Sequence, residues 1–482
     1  MNTTNNHHRL RFTERLGYGL GDTASNFFFQ TFNIFLLYYY TDVFGLRPEA
    51  VGTMFFVTKL WDAISDPAMG MIADRTQTRW GKFRPYIFWM AIPYGAMGYL
   101  MFAGPDLSDT GRLVYAWITY TLMMTLYTAI NVPYSALMGV MTPLSTERTI
   151  LSSFRFVGAF GGGLLISMLV RPMVERLGAA DEALGFQITM GIFAVVSTLM
   201  FWFTFATTKE RVAPAQGETV NLKNDLVILS NNKPWIVLFF AGILTLAAVA
   251  LRSAVTIHFF KYYAGDDGTE IFWFFDRTSL FLTLNSIFLI MGVSCTKFLS
   301  DRFEKKHLMI VLSLGNALAG AVLFVVPADE YALMVIVACT GALLAGPTAP
   351  LVWAMYGDVA DYGEWRFGRR TTGLVFSASM FAQKFGLTIG AGLSGWLLGG
   401  FGFIANEVQT ATSLLGIQLL FTLIPAVVAL LNVLVLCFYN LSDKEVLQIE
   451  RELEERKQAI GPANAGAQAD QPQAQSVGEN RR

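Results

Sequence analysis

The chain has 482 residues, 54% of them hydrophobic and only 15% charged, with a formal net charge of −1 and a mean hydropathy of +0.45. Soluble domains carry roughly 25% charged residues, so the composition excludes a soluble globular protein, a disordered chain and a coiled coil. The near-zero net charge leaves no footprint for nucleic acid. Forty Phe, 17 Tyr and 10 Trp point instead to a polytopic membrane protein. The three cysteines, Cys295, Cys339 and Cys437, lie in apolar runs without metal-ligand spacing and read as small buried hydrophobes.

In chain order, the polar start MNTTNNHHRLRFTERLGYGLGD leads into an apolar run too long for a cleaved signal. The first span is therefore expected to stay in the protein. A membrane-crossing helix needs about 20 apolar residues. The sequence predicts twelve, over roughly 17–41, 48–73, 85–104, 112–140, 150–172, 184–207, 235–262, 277–298, 308–327, 331–357, 371–400 and 413–440. The fold class expected is all-α, a polytopic bundle of two six-helix halves.

Ionisable and polar groups inside spans are costly and usually functional. On the first span Asp22, Asn26, Gln30 and Asn33 share one helix face. On the second, Lys59, Asp62 and Asp66 do the same. Two carboxylates one turn apart in low dielectric need a cation, a shared proton, or a Lys or Arg beside them; a static salt bridge with Lys59 or Arg155 would serve as well. The fourth span offers Tyr127, Thr128, Asn131, Tyr134 and Ser135, with Pro133 freeing a carbonyl. The fifth carries the glycines Gly158, Gly161, Gly162 and Gly163, a pattern for close helix packing, and a deep Arg155. The seventh holds Arg252 and His258, read as packing or gating. The eleventh holds Gln383 and Lys384. Hydroxyls, amides, an Arg and aromatic rings suit a polyhydroxylated ligand. Arg155 is expected to bond sugar hydroxyls or to pair with Asp62 and Asp66.

Twenty-five of the 35 Lys and Arg residues fall in the segments that lie on the same side as the N-terminus. That asymmetry predicts cytoplasmic N- and C-termini. The expected domains are 1–207, a first six-helix half; 208–234, a central cytoplasmic loop; 235–440, a second half; and 441–482, a cytoplasmic tail whose Ala/Gln/Pro/Gly-rich end reads as disordered. A repeat supports the division. Asp74-Arg75 after the second span is matched by Asp301-Arg302 after the eighth, each before a basic turn. Such pairs can latch a neighbouring helix end, and parallel six-span halves are how major facilitator transporters are built.

Several strings carry a more specific likeness: GYGLGD (17–22), YYYTDVFGL (38–46), VGTMFFVTKLWDAISDPAMGMIADRTQTRWGKFRPY (51–86), LYTAINVPYSAL (126–137), SSFRF (152–156) and GDVADYGEWRFGRRTTG (357–373). Through them the chain, over about 10–440, resembles the glycoside–pentoside–hexuronide:cation symporters, the sugar porters that include the melibiose permease. The resemblance implies a cation site at Asp62, Ser65, Asp66 and Thr128, with Na⁺ a candidate at Asp62 and Asp66. It implies substrate contacts from Arg155, and a link from Lys384 to the acidic site. Asn26 and Asn131 fall where the melibiose permease has sugar-binding aspartates, Ser135 where it has a stacking Trp, and Ser65 where it has an Asn.

The resulting expectation is a secondary active transporter, not an enzyme, working as a monomer in a bacterial inner membrane without a cofactor. It would couple a glycoside, such as an α-xyloside or other oligosaccharide, to H⁺ or Na⁺ by alternating access. The proton is favoured because Ser65 offers a shorter arm than an amide. The substrate set is Asp22, Asn26, Asn33, Tyr127, Asn131, Ser135, Arg155 and Lys384, and the gating set is Asp74, Arg75, Asp301, Arg302 and Asp361. The alternative is an uncoupled facilitator, or a porter of another polar solute such as a hexuronide or pentoside.

Overall fold

The computed structural model describes residues 9–142, 144–179, 181–211, 222–368, 372–453 and 455. The first half comprises α1 (Phe12–Ile34), α2 (Leu36–Tyr38), a π-helical turn π1 (Tyr39–Val43), α3 (Pro48–Arg75), α4 (Arg84–Leu100), α5 (Asp109–Met141), α6 (Ser145–Gly178) and α7 (Glu182–Thr207). A short α8 (Leu222–Asn231) lies within the expected central loop. The second half comprises α9 (Lys233–His258), a second π turn π2 (Phe259–Tyr263), α10 (Arg277–Ser300), α11 (Lys305–Val325), α12 (Tyr331–Ala345), α13 (Thr348–Phe367), α14 (Thr372–Gly400), α15 (Ala411–Phe421) and α16 (Leu423–Cys437).

Each predicted span falls on helix, in order. The starts follow ordinary capping chemistry: Ser108, Asp181, Asn232, Asp276 and Thr410 each accept a backbone N–H from the first turn they precede. Two spans differ from expectation. The tenth is broken between α12 and α13 at Gly346-Pro347, where proline cannot continue the ladder. The twelfth is broken at Thr422, three residues before Pro425. Among the described residues, eight helical stretches are long and apolar enough to cross a membrane by length and composition. The other four expected spans, 17–41, 48–73, 85–104 and 371–400, fall on helices that are short or carry the charged and polar residues singled out above.

Within the first half α1 packs on α6 and α7, and α4 on α5 and α7; within the second, α9 packs on α14 and α16, and α10 and α11 on α12. The halves meet where α3 lies on α14 and α6 on α10. Small residues set these distances. A Cβ on Gly158 would strike the carbonyl oxygen of Gly19, and one on Gly395 would run into the backbone of Gly52. Of the glycine run on α6, Gly158 and Gly162 face α1 and Gly163 meets Gln30, whereas Gly161 faces open space. Residues 443–453 form a further helix whose Val446, Ile449 and Leu453 are buried against the second half. The tail expected to be disordered, from 456 on, lies outside the described residues.

Polar contacts divide the two ends of the bundle. At the end away from the termini they cross between halves: Arg171 to Asp276 at 3.0 Å, Arg176 to Glu270 at 2.6 Å, Ser286 to Ser167 at 3.1 Å and Trp396 to Thr53 at 3.0 Å. At the termini's end the described ion pairs stay within one half. Arg15 pairs with Glu147 at 2.8 Å, Arg211 with Glu14, and Lys305 with Asp358 and Asp443.

Candidate functional site

One polar corner forms where α1, α5 and α6 meet. Asp22 on α1 faces Arg155 on α6, Oδ2 to Nε at 3.5 Å. The guanidinium also lies over the Tyr134 ring, 5.5 Å from its centre, a favourable place for a delocalised cation. Tyr134 is held in turn: its ring stacks on Tyr18 at 4.7 Å, and its hydroxyl donates to the Tyr18 carbonyl at 2.5 Å. Ser25 donates to Asn131 Oδ1 at 2.7 Å, and the Asn131 amide nitrogen bonds back to the Tyr127 carbonyl. Asn26 and Asn33 likewise turn their amide nitrogens to carbonyls one turn back, Asp22 and Phe29, leaving their oxygens as acceptors. Tyr127 stacks on Phe29 at 6.0 Å, and Ser135 is half-buried on α5.

A second constellation lies beside it. Asp66 on α3 accepts a hydrogen bond from Thr128 Oγ1 at 2.9 Å and an ion pair from Lys384 on α14. Ser65 donates at 3.5 Å to Thr128 Oγ1 and to the Asp62 carbonyl. Asp62 is buried, and its Oδ1 has no hydrogen-bond partner. Lys59, Asp62, Asp66 and Lys384 line one cleft of about 250 Å³ between α3 and α14, walled by Leu60, Pro67, Met380, Phe381 and Phe385. Thr128 neighbours Tyr127 on α5, so one helix joins the two constellations.

The structure thus gathers Asp22, Asn26, Tyr127, Asn131 and Arg155 in one corner, and Asp62, Ser65, Asp66, Thr128 and Lys384 in the other. Arg155 differs from expectation: its carboxylate partner is Asp22, and Asp66 is taken by Lys384. Asn33 stands apart, on a small void beside Lys59. Of the gating set, Arg75 and Asp301 are exposed, and Arg302, in the turn that follows α10, lies over the ring of Phe298 on that helix at 4.0 Å. Asp361 is half-buried on α13, and the Asp74 side chain lies outside those described. Arg252 sits 4.9 Å over the Phe421 ring within the second half, with its Nη2 buried and unpartnered. The sequence reading missed the cross-half cluster at the far end, Asp42, Lys261, Tyr262 and Asn406, because charges at span ends look like headgroup anchors. The signal available was the matched aromatic strings YYYTD and FFKYY ending the first and seventh spans.

Residues 17–443 match the model of a family described as MFS/sugar transport protein. The chain is 36% identical to the inner membrane symporter YicJ of Escherichia coli over 450 residues, 93% of this chain and 96% of that one. It is 36% identical to the putative glycoside/cation symporter YagG of the same organism over 94% of this chain and 97% of the relative. Identity to the isoprimeverose transporter of Lactiplantibacillus pentosus is 34% over 90% of each. Among solved structures, the nucleoside transporter NupG superposes with a TM-score of 0.58 at 12% identity, over 89% of this chain and 99% of that one, which bears on the fold. These proteins are transporters, not enzymes.

Proposed function

The chain belongs to the MFS/sugar transport protein family, a set of multi-pass membrane proteins, and on that premise we propose that it carries a glycoside across the bacterial inner membrane together with a cation. The observation that carries this reading is the juxtaposition of the two constellations on α5. Tyr127, Asn131 and the Asp22–Arg155 pair offer donors, acceptors and an aromatic face. One residue along, Thr128 holds Asp66, which Lys384 ties to the other half. A sugar bound in the first corner and a cation bound in the second would each favour the same arrangement of the halves, which is all that coupling requires.

The mechanism follows from competition for Asp66. In the empty site the Lys384 ammonium neutralises that carboxylate. A cation arriving at Asp62 and Asp66 substitutes for it and frees α14 from α3. The ion we propose is the proton, because the buried Asp62 Oδ1 has no donor and protonation would meet the need that burial creates. With the termini cytoplasmic, as the Lys and Arg asymmetry argues, the joined end of the bundle faces outward and the cleft opens inward. The chain would then be seen inward-facing.

The test is uptake of a labelled xyloside into membrane vesicles. Under an imposed pH gradient without Na⁺ we expect accumulation, and a Na⁺ gradient at equal pH should give none. Accumulation only with Na⁺ would reassign the ion, and accumulation with neither would leave a facilitator.

A further inference from the structure

The first helix of each half ends in the same way. In π1 and π2, five residues each, the backbone opens into a π turn. Phe44 N–H then bonds to the Tyr39 carbonyl at 2.8 Å and Leu46 N–H to Tyr40 at 2.8 Å. In the second half Ala264 bonds to Phe259 at 3.0 Å and Asp266 to Phe260 at 2.9 Å. Each ends in a glycine of positive φ, Gly45 at 78° and Gly265 at 65°. The two turns face one another across the seam between halves. Lys261 Nζ donates to Asp42 Oδ1 at 2.9 Å and to the Tyr38 hydroxyl at 3.1 Å, and the Tyr262 hydroxyl donates to Asp42. His258 Nε2 lies 3.0 Å from Thr41 Oγ1 and 3.3 Å from Asp42 Oδ2.

A third element closes the cluster. Asn406, in the turn between α14 and α15, has φ +58°, a left-handed conformation that asparagine tolerates better than most residues. It makes three bonds from there. Its backbone N–H donates to the Tyr262 hydroxyl at 2.8 Å, its amide nitrogen to the Asp42 carbonyl at 2.7 Å, and its side-chain oxygen accepts from Lys261 at 2.8 Å. One residue of the second half thus touches both π turns at once. A non-glycine residue held at positive φ by such over-determination is where function is sought.

We propose that Asn406 is a pin that clasps the two π turns, and that the strength of this clasp sets how readily the outer end opens. The inference rests on the alternating-access reading and deepens it. Asp42 is fully enclosed, and both its carboxylate oxygens are engaged. It cannot move from Lys261 without leaving a buried charge, so separation must disengage the whole cluster. Asn406 is the most exposed member of the cluster, so trimming its side chain opens no buried cavity.

The experiment uses the full chain with Cys295, Cys339 and Cys437 replaced by serine, and Ala254→Cys as reporter. Ala254 is buried beneath the clasp and lines the void with Asn33 and Lys59. Right-side-out vesicles are treated with a membrane-impermeant maleimide. Asn406→Gly, which is at ease at this φ, and Lys261→Met should each raise the labelling rate several-fold over the parent. Labelling of both variants at the parent rate overturns the clasp. Sugar counterflow in the same vesicles is read separately. Its absence from every form, the parent included, would count against the transport reading, while the labelling comparison still decides the clasp.

Discussion

Among the described residues two aspartate–lysine pairs join the halves, and they are built for opposite ends. Asp42–Lys261 lies at the seam away from the termini, with the Asp42 side chain wholly enclosed and Lys261 25% exposed. Thr41, Tyr262, His258 and Asn406 complete it. Asp66–Lys384 lies on the open cleft, with the two side chains 24% and 45% exposed, and beyond Lys384 the Asp66 carboxylate accepts from Thr128. A charge pair out of water is stable only when its remaining hydrogen-bonding capacity is filled. The Asp42 pair meets that condition and suits a clasp. The Asp66 pair leaves room on the cleft, so under the proposed mechanism either partner can be exchanged for a third ion. The same two residue types would then give a fastener in one place and a binding site in the other, and the surroundings decide which.

The sharpest way to break this contrast is to neutralise both acids in turn. Asp66→Asn, and equally Asp62→Asn, should abolish gradient-driven accumulation while the protein remains inserted, because one carboxylate cannot both balance the cation and release it. Asp42→Asn should keep accumulation at a lower rate, since it touches no ligand. Radiolabelled uptake at equal expression decides it, and wild-type accumulation by both Asp66→Asn and Asp62→Asn would remove the cation-site assignment.

Arg155→Ala tests the sugar corner. The change strips Asp22 of its partner and removes a donor from that corner, and an unmet buried group costs about 1–3 kcal/mol. Binding should weaken roughly ten- to hundredfold at that cost, measured by calorimetric titration of the sugar. Unchanged affinity would make Arg155 a packing residue that holds α6 to α1.

How much of this was legible beforehand divides along physical lines. Hydropathy and helical spacing placed the spans, because burying about 20 apolar residues per crossing leaves few alternatives. Asp62, Asp66 and Lys384 could be singled out because a charge deep in a span is expensive wherever its partner lies. The pairing itself was not legible. Arg155 had three carboxylates it could reach in principle, and only the crossing of α1 over α6 assigns it Asp22. Nor was the clasp. Lys261 stands at the end of its predicted span, where a charge costs little, and Asn406 lies in the connection between two spans. Their role depends on two turns distant in sequence and on one left-handed φ, neither of which a periodicity carries.

Lys384→Ala sharpens the exchange argument from the other side. With the ammonium gone, an entering cation no longer competes for Asp66. Cation affinity in the absence of sugar should rise several-fold, while accumulation falls because α14 loses its tie to α3. Ion titration of the purified protein by thermal shift reads the first effect and vesicle uptake the second. An unaltered ion affinity would mean that Lys384 and the cation occupy separate places.

The smallest effect belongs to Thr128→Val, which keeps shape and deletes one hydroxyl. That hydroxyl donates to Asp66 at 2.9 Å and accepts from Ser65. A hydrogen bond to a charged group contributes about 1.5–3 kcal/mol when buried, but Asp66 faces the cleft, where water can take the vacated position. The loss should lie below that range. We expect cation affinity to fall by a factor of about three to ten, which corresponds to ~0.7–1.4 kcal/mol, with sugar affinity at saturating cation unchanged. The split separates two roles for Thr128. If it is an ion ligand, the cation dependence shifts and the saturated sugar affinity does not. If it only positions Tyr127 beside it on α5, the sugar affinity falls even when the cation site is full, and the acid pair would then stand without the ligand assigned to it.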